Sequence, residues 1–142
     1  MNIEVEKLSP DDWKALSADA HKVVFEEIRP AYMDRIDYAL MAVNKETNTP
    51  LCYVTVRELD NESVYWQFGG AFPSAKDSII AFRAYQAGLR WTKDRYDRVT
   101  TLVENQNVRY LKMAMAMGFR IIGVRTFKGQ VLCELLLEFE GD

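Results

Sequence analysis

DRVTTLVENQNVRYLKMAMAMGFRIIGV, Asp97 to Val124, reads as strand, polar turn, helix, glycine stop and returning strand. Val99 to Val103 are β-formers without a charge among them, the composition of a strand covered on both faces. Glu104, Asn105, Gln106 and Asn107 then make a polar cluster at that strand's carboxyl end, which is where open α/β sheets place ligands. Either asparagine can cap the helix that follows, offering its side-chain oxygen to an exposed backbone N–H. Met113 and Met117 lie one turn apart, as do Tyr110 and Ala114, so the helix carries a broad apolar face. Gly118 ends it, since a left-handed residue after a helix costs glycine nothing, and Phe119 begins the return strand.

Before this stretch, Asn2 to Leu8 alternates Ile3 and Val5 with charged neighbours and predicts a strand with one wet face. Ser9-Pro10-Asp11-Asp12 predicts a helix start, with Ser as N-cap, Pro at the first position and acids against the dipole. Trp13, Leu16, Ala20, Val23 and Val24 keep helical spacing to about Ile28. Arg29 to Asp37 reads as a loop or short second helix. Tyr38–Val43, Leu51–Leu59 and Glu62–Ala71 form a three-strand meander joined by polar turns. Gly69-Gly70 inside the third strand signals a bulge or a close backbone approach. Ser74 to Tyr96 predicts a long helix, with Ile80, Ala84, Ala87 and Trp91 as its apolar row and Lys76, Arg83 and Arg90 as a solvated basic one. Arg120–Phe127 and Val131–Glu140 make a hairpin around Lys128-Gly129-Gln130.

With 142 residues, 49% of them apolar and 27% charged, the chain suits one soluble domain spanning 1–142. A net charge of −3 gives no footprint for nucleic acid or an anionic membrane. The acidic, alternating start is unlike a signal peptide, and no apolar run approaches a membrane span, so the expected location is cytoplasmic. Cys52 and Cys133 lack CxxC spacing and read as reduced, buried thiols. No metal, P-loop or G-x-S-x-G pattern is present, and His21, the single histidine, reads as a surface residue.

Asn105, an amphipathic helix closing in Gly118-Phe119 and a following strand resemble the second half of the GNAT domain, the Gcn5-related N-acetyltransferases. The element order β α (α) β β β α β α β β matches that family along essentially the whole chain. The expected fold is therefore α/β (α+β): a mixed, mostly antiparallel, twisted sheet of about seven strands with helices on both faces. Small phage-encoded relatives with eroded motifs share the resemblance. It implies N-acyltransferase activity, an acetyl group moving from acetyl-CoA to a primary amine by direct attack in a ternary complex. The acceptor would be a small molecule or a peptide, and the assembly state is open, a homodimer included.

The resemblance also implies site residues. Strands ending at Ala71 and Glu104 would run parallel and part beyond the bulge, with pantetheine on the edge formed by Gly69, Gly70, Ala71 and Phe72. Pyrophosphate would lie at the tip of the long helix, near Ser74, Lys76, Ser78 and Ala81, where free N–H groups and the dipole favour an anion. Asn105 and Asn107 would border the thioester. The family's loop pattern, Arg/Gln-x-x-Gly-x-Gly/Ala, aligns with Lys76-Asp77-Ser78-Ile79-Ile80-Ala81. Lys76 and Ala81 match, while Asp77 and Ile79 depart, and Ser74-x-x-Asp77 can instead form a capping box. Ala114 stands where the family often has a tyrosine that protonates the thiolate, so Tyr110, one turn earlier, is the candidate acid. Glu104 is the candidate base, with Glu62 and Tyr65 behind it. These departures leave a second reading, a GNAT-like binding or regulatory module without chemistry.

Overall fold

In the computed structural model the described residues are 1–16, 35–75 and 79–140. They build one seven-stranded sheet in the order β1-β2-β3-β4-β5-β7-β6. The strands are β1 (Ile3–Leu8), β2 (Tyr38–Asn44), β3 (Thr49–Glu58), β4 (Ser63–Ala71), β5 (Arg98–Glu104), β6 (Arg120–Phe127) and β7 (Gln130–Glu138). Every pairing is antiparallel except β4 with β5, which the connecting helix α2 (Ile79–Lys93) makes parallel. Helix α3 (Val108–Ala116) links β5 to β6, and residues 10–16 form the described part of a helix, α1.

Two apolar clusters fix the layers. On one face, Leu40, Cys52, Val54, Trp66, Val99, Val103 and Leu135 from the strands bury against Ala84, Tyr85 and Leu89 of α2 and Ala114 of α3. On the other, Trp13 of α1 is fully buried against Tyr53, with ring centroids 4.8 Å apart, and Tyr53 meets Phe72 at 5.8 Å. Helices therefore cover both faces. Ser9 caps α1 as its sequence predicts, its hydroxyl oxygen accepting from Asp12 N at 3.2 Å. Both cysteines are buried free thiols.

Gly118 closes α3 with φ +107°. Its N–H donates to Met115 O and the N–H of Phe119 to Ala114 O, each at 3.1 Å, the Schellman arrangement that uses up the last carbonyls of the helix. A Cβ added here would also stand 3.1 Å from Leu137 Cδ1. Gly118→Ala should therefore destabilise the fold by roughly 1–2 kcal/mol, the cost of placing an L side chain in the left-handed region. A urea titration would read this, and an unchanged midpoint would mean that the turn refolds around alanine.

Two expectations are corrected. The bulge is not at Gly69-Gly70. Those residues pair regularly with Val54 and Tyr53, and the register shifts at Gln67, because Thr55 opposes Phe68 while Val56 opposes Trp66. The glycines instead serve close approach: a Cβ on Gly69 would lie 3.1 Å from Tyr53 O. The long helix as described starts at Ile79 and ends at Lys93, shorter than Ser74 to Tyr96, since residues 73–75 form a turn and Tyr96 lies beyond the last helical turn. Met113 and Met117 pack on the core as their spacing predicts, and Met115 between them is exposed. His21 and the stretch 17–34 lie outside the described residues.

Candidate functional site

Strands β4 and β5 pair over only four residues each, Ser63–Trp66 against Arg98–Thr101. At the last rung Thr101 Oγ1 donates to Trp66 O at 3.0 Å. Beyond it the two strands separate, and the gap opens at the Gln67 bulge, as bulges bend and twist the strand that holds them. The expected parting of the strands is present, and it starts at the bulge.

Ladder alternation shows which backbone groups line the gap. Phe72 N donates to Leu51 O at 2.8 Å, so Phe72 and Gly70 turn their polar groups to β3, while those of Gly69 and Ala71 turn the other way. Of the four edge residues expected to meet a ligand, Gly69 and Ala71 thus present N–H and C=O to the gap. Gly70 and Phe72 do not. Across the gap, Asn105 N donates to Val131 O at 2.8 Å, which turns Leu102 and Glu104 away from β7 and toward β4. Two strand edges therefore face one another without pairing.

Side chains around the gap sort by face. Trp66 lies beneath Gly88 of α2, and Val99 and Val103 join the α2 cluster, so Tyr65, Thr100, Leu102 and Glu104 project to the Trp13 face. Glu104 ends β5 and is exposed. Gln67, not singled out by its sequence context, stands at the apex opposite the Leu102 position, and its Oε1 is buried with no hydrogen-bond partner among the described residues. A buried carbonyl left unmatched costs about 1–3 kcal/mol. One polar residue inside the apolar run Val64-Tyr65-Trp66-Gln67-Phe68 was the available signal. Glu62 sits at the far end of β4, bound to Arg98, and is removed from the gap.

On the α2 face, Tyr110 rises from the first turn of α3 and meets Tyr85 of α2 edge-on, ring centroids 5.9 Å apart. Since α2 follows β4 and α3 follows β5, that contact bridges the two halves over the open side of the gap. Burial pushes the Tyr110 phenol up to about 12, with the nearby Cys52 thiol adding to the shift. Burial likewise pushes Cys52 up to about 12, so neither group ionises near neutrality. Ala114, at the family's tyrosine position, is buried in the core.

The remaining expected contacts divide. Asn107 is the N-cap of α3, its Oδ1 accepting from Tyr110 N at 3.2 Å. Asn105 Oδ1 accepts instead from the Cys133 thiol at 3.9 Å. Ser74 is exposed and donates its hydroxyl to Pro50 O at 2.9 Å, which ties the turn after β4 to the start of β3. Ala81 is buried, with its carbonyl beside Cys52 Sγ, and so belongs to the core. Ile79, the departure from the loop pattern, is 67% exposed and does not fill the gap. Lys76, Asp77 and Ser78 lie outside the described residues. Among the described residues no cluster of metal-binding side chains occurs, and no helix is long and apolar enough to cross a membrane.

No sequence-family model and no curated protein sequence matches the chain. Solved structures do. An IAA acetyltransferase from Bacillus cereus superposes with a TM-score of 0.73 at 12% identity, over 97% of this chain and 100% of the other. A GNAT family acetyltransferase from Elizabethkingia anophelis with acetyl-CoA bound gives 0.68 at 16% identity, over 97% and 99%. A mutant spermidine/spermine N-acetyltransferase from Vibrio cholerae gives 0.72 at 9% identity, over 96% and 95%. At such identities the likeness is one of fold, and it spans nearly the whole length of each chain.

Proposed function

We propose that this GNAT-fold chain moves an acetyl group from acetyl-CoA to a primary amine by direct attack in a ternary complex. The observation that carries this reading is the gap, into which Gly69 and Ala71 turn backbone N–H and C=O groups that β5 does not pair. An extended arm bearing amides, such as pantetheine, can add itself to an edge of that kind as an extra strand would. Gly69 and Ala71 would supply this edge, while Gly70 and Phe72 hold it against β3. Pyrophosphate would meet free N–H groups at the tip of α2, with Ser74, Lys76, Ser78 and Ala81 as its proposed contacts, and Asn105 and Asn107 would border the thioester. Two of the structural neighbours, one with acetyl-CoA bound and one named for polyamine acetylation, support the reading.

The two faces of the gap suit opposite roles. The amine approaches from the Trp13 face, where Glu104 draws a proton from the ammonium through a water molecule. The freed nitrogen attacks the thioester carbonyl, the C–N bond replaces the C–S bond, and the departing thiolate takes its proton from Tyr110 on the α2 face. The phenolate so formed regains, through water, the proton that the new amide nitrogen sheds. A phenol held at about 12 keeps that proton at neutral pH.

Acetyl-CoA should raise the melting temperature by several degrees when it is present at about 100-fold above its dissociation constant, equivalent to about 2.7 kcal/mol. No shift at millimolar acetyl-CoA would overturn the proposal. One observation favours a second reading, a binding or regulatory module without chemistry: buried Ala114 occupies the position where the family often has its proton donor. Such a module would release no thiol from acetyl-CoA with any amine.

A further inference from the structure

From the outer edge of the sheet we infer that a second copy of this chain pairs with β6, the two β6 strands running antiparallel about a two-fold axis at Val124. The sheet ends in β1 on one side and β6 on the other. β1 is short and carries Glu4, Glu6 and Lys7, with Glu6 bound to Lys45, and charges of this kind keep an edge from pairing. β6 has neither lysine nor proline. Its Ile121, Ile122, Val124 and Phe127 are all exposed, as is Val131 at the start of β7. Among the described residues no strand pairs with its outer side.

The register with β7 fixes which groups that side offers. Val131 O takes the N–H of Asn105, so Leu132 and Glu134 turn their backbone groups to β6, where they oppose Arg125 and Gly123. Val124, between those two, and Thr126 therefore turn N–H and C=O outward. The register shift lies before Gly123, so this alternation runs unbroken from Gly123 to Phe127. Val124 opposes Cys133, which belongs to the α2 cluster, and shares its face. Arg125 and Glu134 share the other face, where Arg125 Nη2 donates to Glu134 Oε2 at 2.6 Å. The second oxygen, Oε1, leans over Gly123, only 3.3 Å from where a Cβ would stand.

These charges select one register. A two-fold axis at Val124 makes the two Val124 residues a hydrogen-bonded pair and sets Arg125 of each copy opposite Gly123 of the other. Glycine leaves the Glu134 carboxylate uncovered there, so each Arg125 meets the other copy's Glu134 and the charges alternate across the axis. An axis at Arg125 would instead put the two arginines directly opposite one another, which is unfavourable. Exposed ion pairs add little affinity, but they exclude wrong registers. The two-fold arrangement closes on itself and hides both edges.

The test is sedimentation of the free protein over a concentration series. Wild type should approach twice the 16.4 kDa of one chain. Val124→Lys, at a side chain 63% exposed in the single chain, should stay monomeric with an unchanged urea midpoint. Arg125→Glu should weaken the dimer by roughly 10-fold, and combining it with Glu134→Arg, which restores the pairs, should recover the loss. Val124→Cys reads the axis itself. Opposed residues of a hydrogen-bonded pair have Cα atoms about 5.5 Å apart, within disulfide reach, so mild oxidation should give a covalent dimer while buried Cys52 and Cys133 stay free. A monomer at every concentration, a species larger than two chains, or a dimer that Val124→Lys leaves intact would overturn the interface. A dimer indifferent to Arg125→Glu would overturn the register. If Val124→Lys lowers the urea midpoint, Val124→Cys decides alone, and absence of the covalent dimer overturns the proposal.

Discussion

Trp66→Ala should lose about 3–5 kcal/mol of folding stability, read as a lower urea midpoint with little change in slope. Trp66 is 2% exposed and holds three things at once. Its ring fills the space beneath Gly88, where an added Cβ would stand only 3.4 Å away, so α2 rests directly on the indole. Its backbone closes the last parallel rung, with its carbonyl taking the Thr101 hydroxyl. Its position also sets where β4 bends. Alanine would leave a cavity bounded by helix and sheet, neither of which can collapse into it without moving the bulge. A loss below about 1 kcal/mol would show that α2 settles onto the sheet and that the apex is soft.

Tyr110→Phe should reduce kcat about 100-fold, within the range for loss of a positioned general acid, while the acetyl-CoA melting shift is preserved. Phenylalanine keeps the ring and its edge-on contact with Tyr85, so packing is retained and only the proton is removed. The pH profile adds a second readout. With the phenol pushed up to about 12 by burial, the acid form persists through mildly alkaline solution, and wild type should show no loss assignable to this group below about pH 11. Turnover by Tyr110→Phe within a factor of three of wild type would make Tyr110 a packing residue. Loss of the coenzyme shift in the same variant would show that the phenol holds the ligand and does not protonate it.

Much of the fold was legible because the local signals agreed with one another. Val99 to Val103 carried the composition of an interior strand, and Gly118-Phe119 marked a stop that the structure realises as a Schellman turn. Asn107 and Ser9 cap the helices their positions announce. The parting of β4 from β5 followed from topology, since a strand ending in a polar turn beside a crossover helix has little to pair with at its tip.

The details of the site were less legible, for physical reasons. Gly69-Gly70 is a louder signal than one glutamine, yet a bulge is a property of two strands in register, and one strand's sequence does not state its partner's. Helical period told that Tyr110 shares a face with Ala114, but not that it would lean on Tyr85 across the gap. Ala81 fitted a phosphate-loop pattern by letter, while its place in the core is set by helix rotation, which short patterns do not encode. The edge Gly69 to Phe72 was read as four equivalent contacts, and strand alternation reduces the gap-facing ones to two.

The parallel seam is only four residues long on each side. On its left stands a meander of consecutive strands, and on its right a hairpin folded back on β5, each closed by its own antiparallel ladders. Such an arrangement gives the molecule two cooperative units whose amides need not open together. In hydrogen exchange without ligand, the rungs between Ser63–Trp66 and Arg98–Thr101 would lose protection before the ladders on either flank. A molecule wedged into the mouth would tie the two units and slow exchange at the seam, far from any atom that it touches.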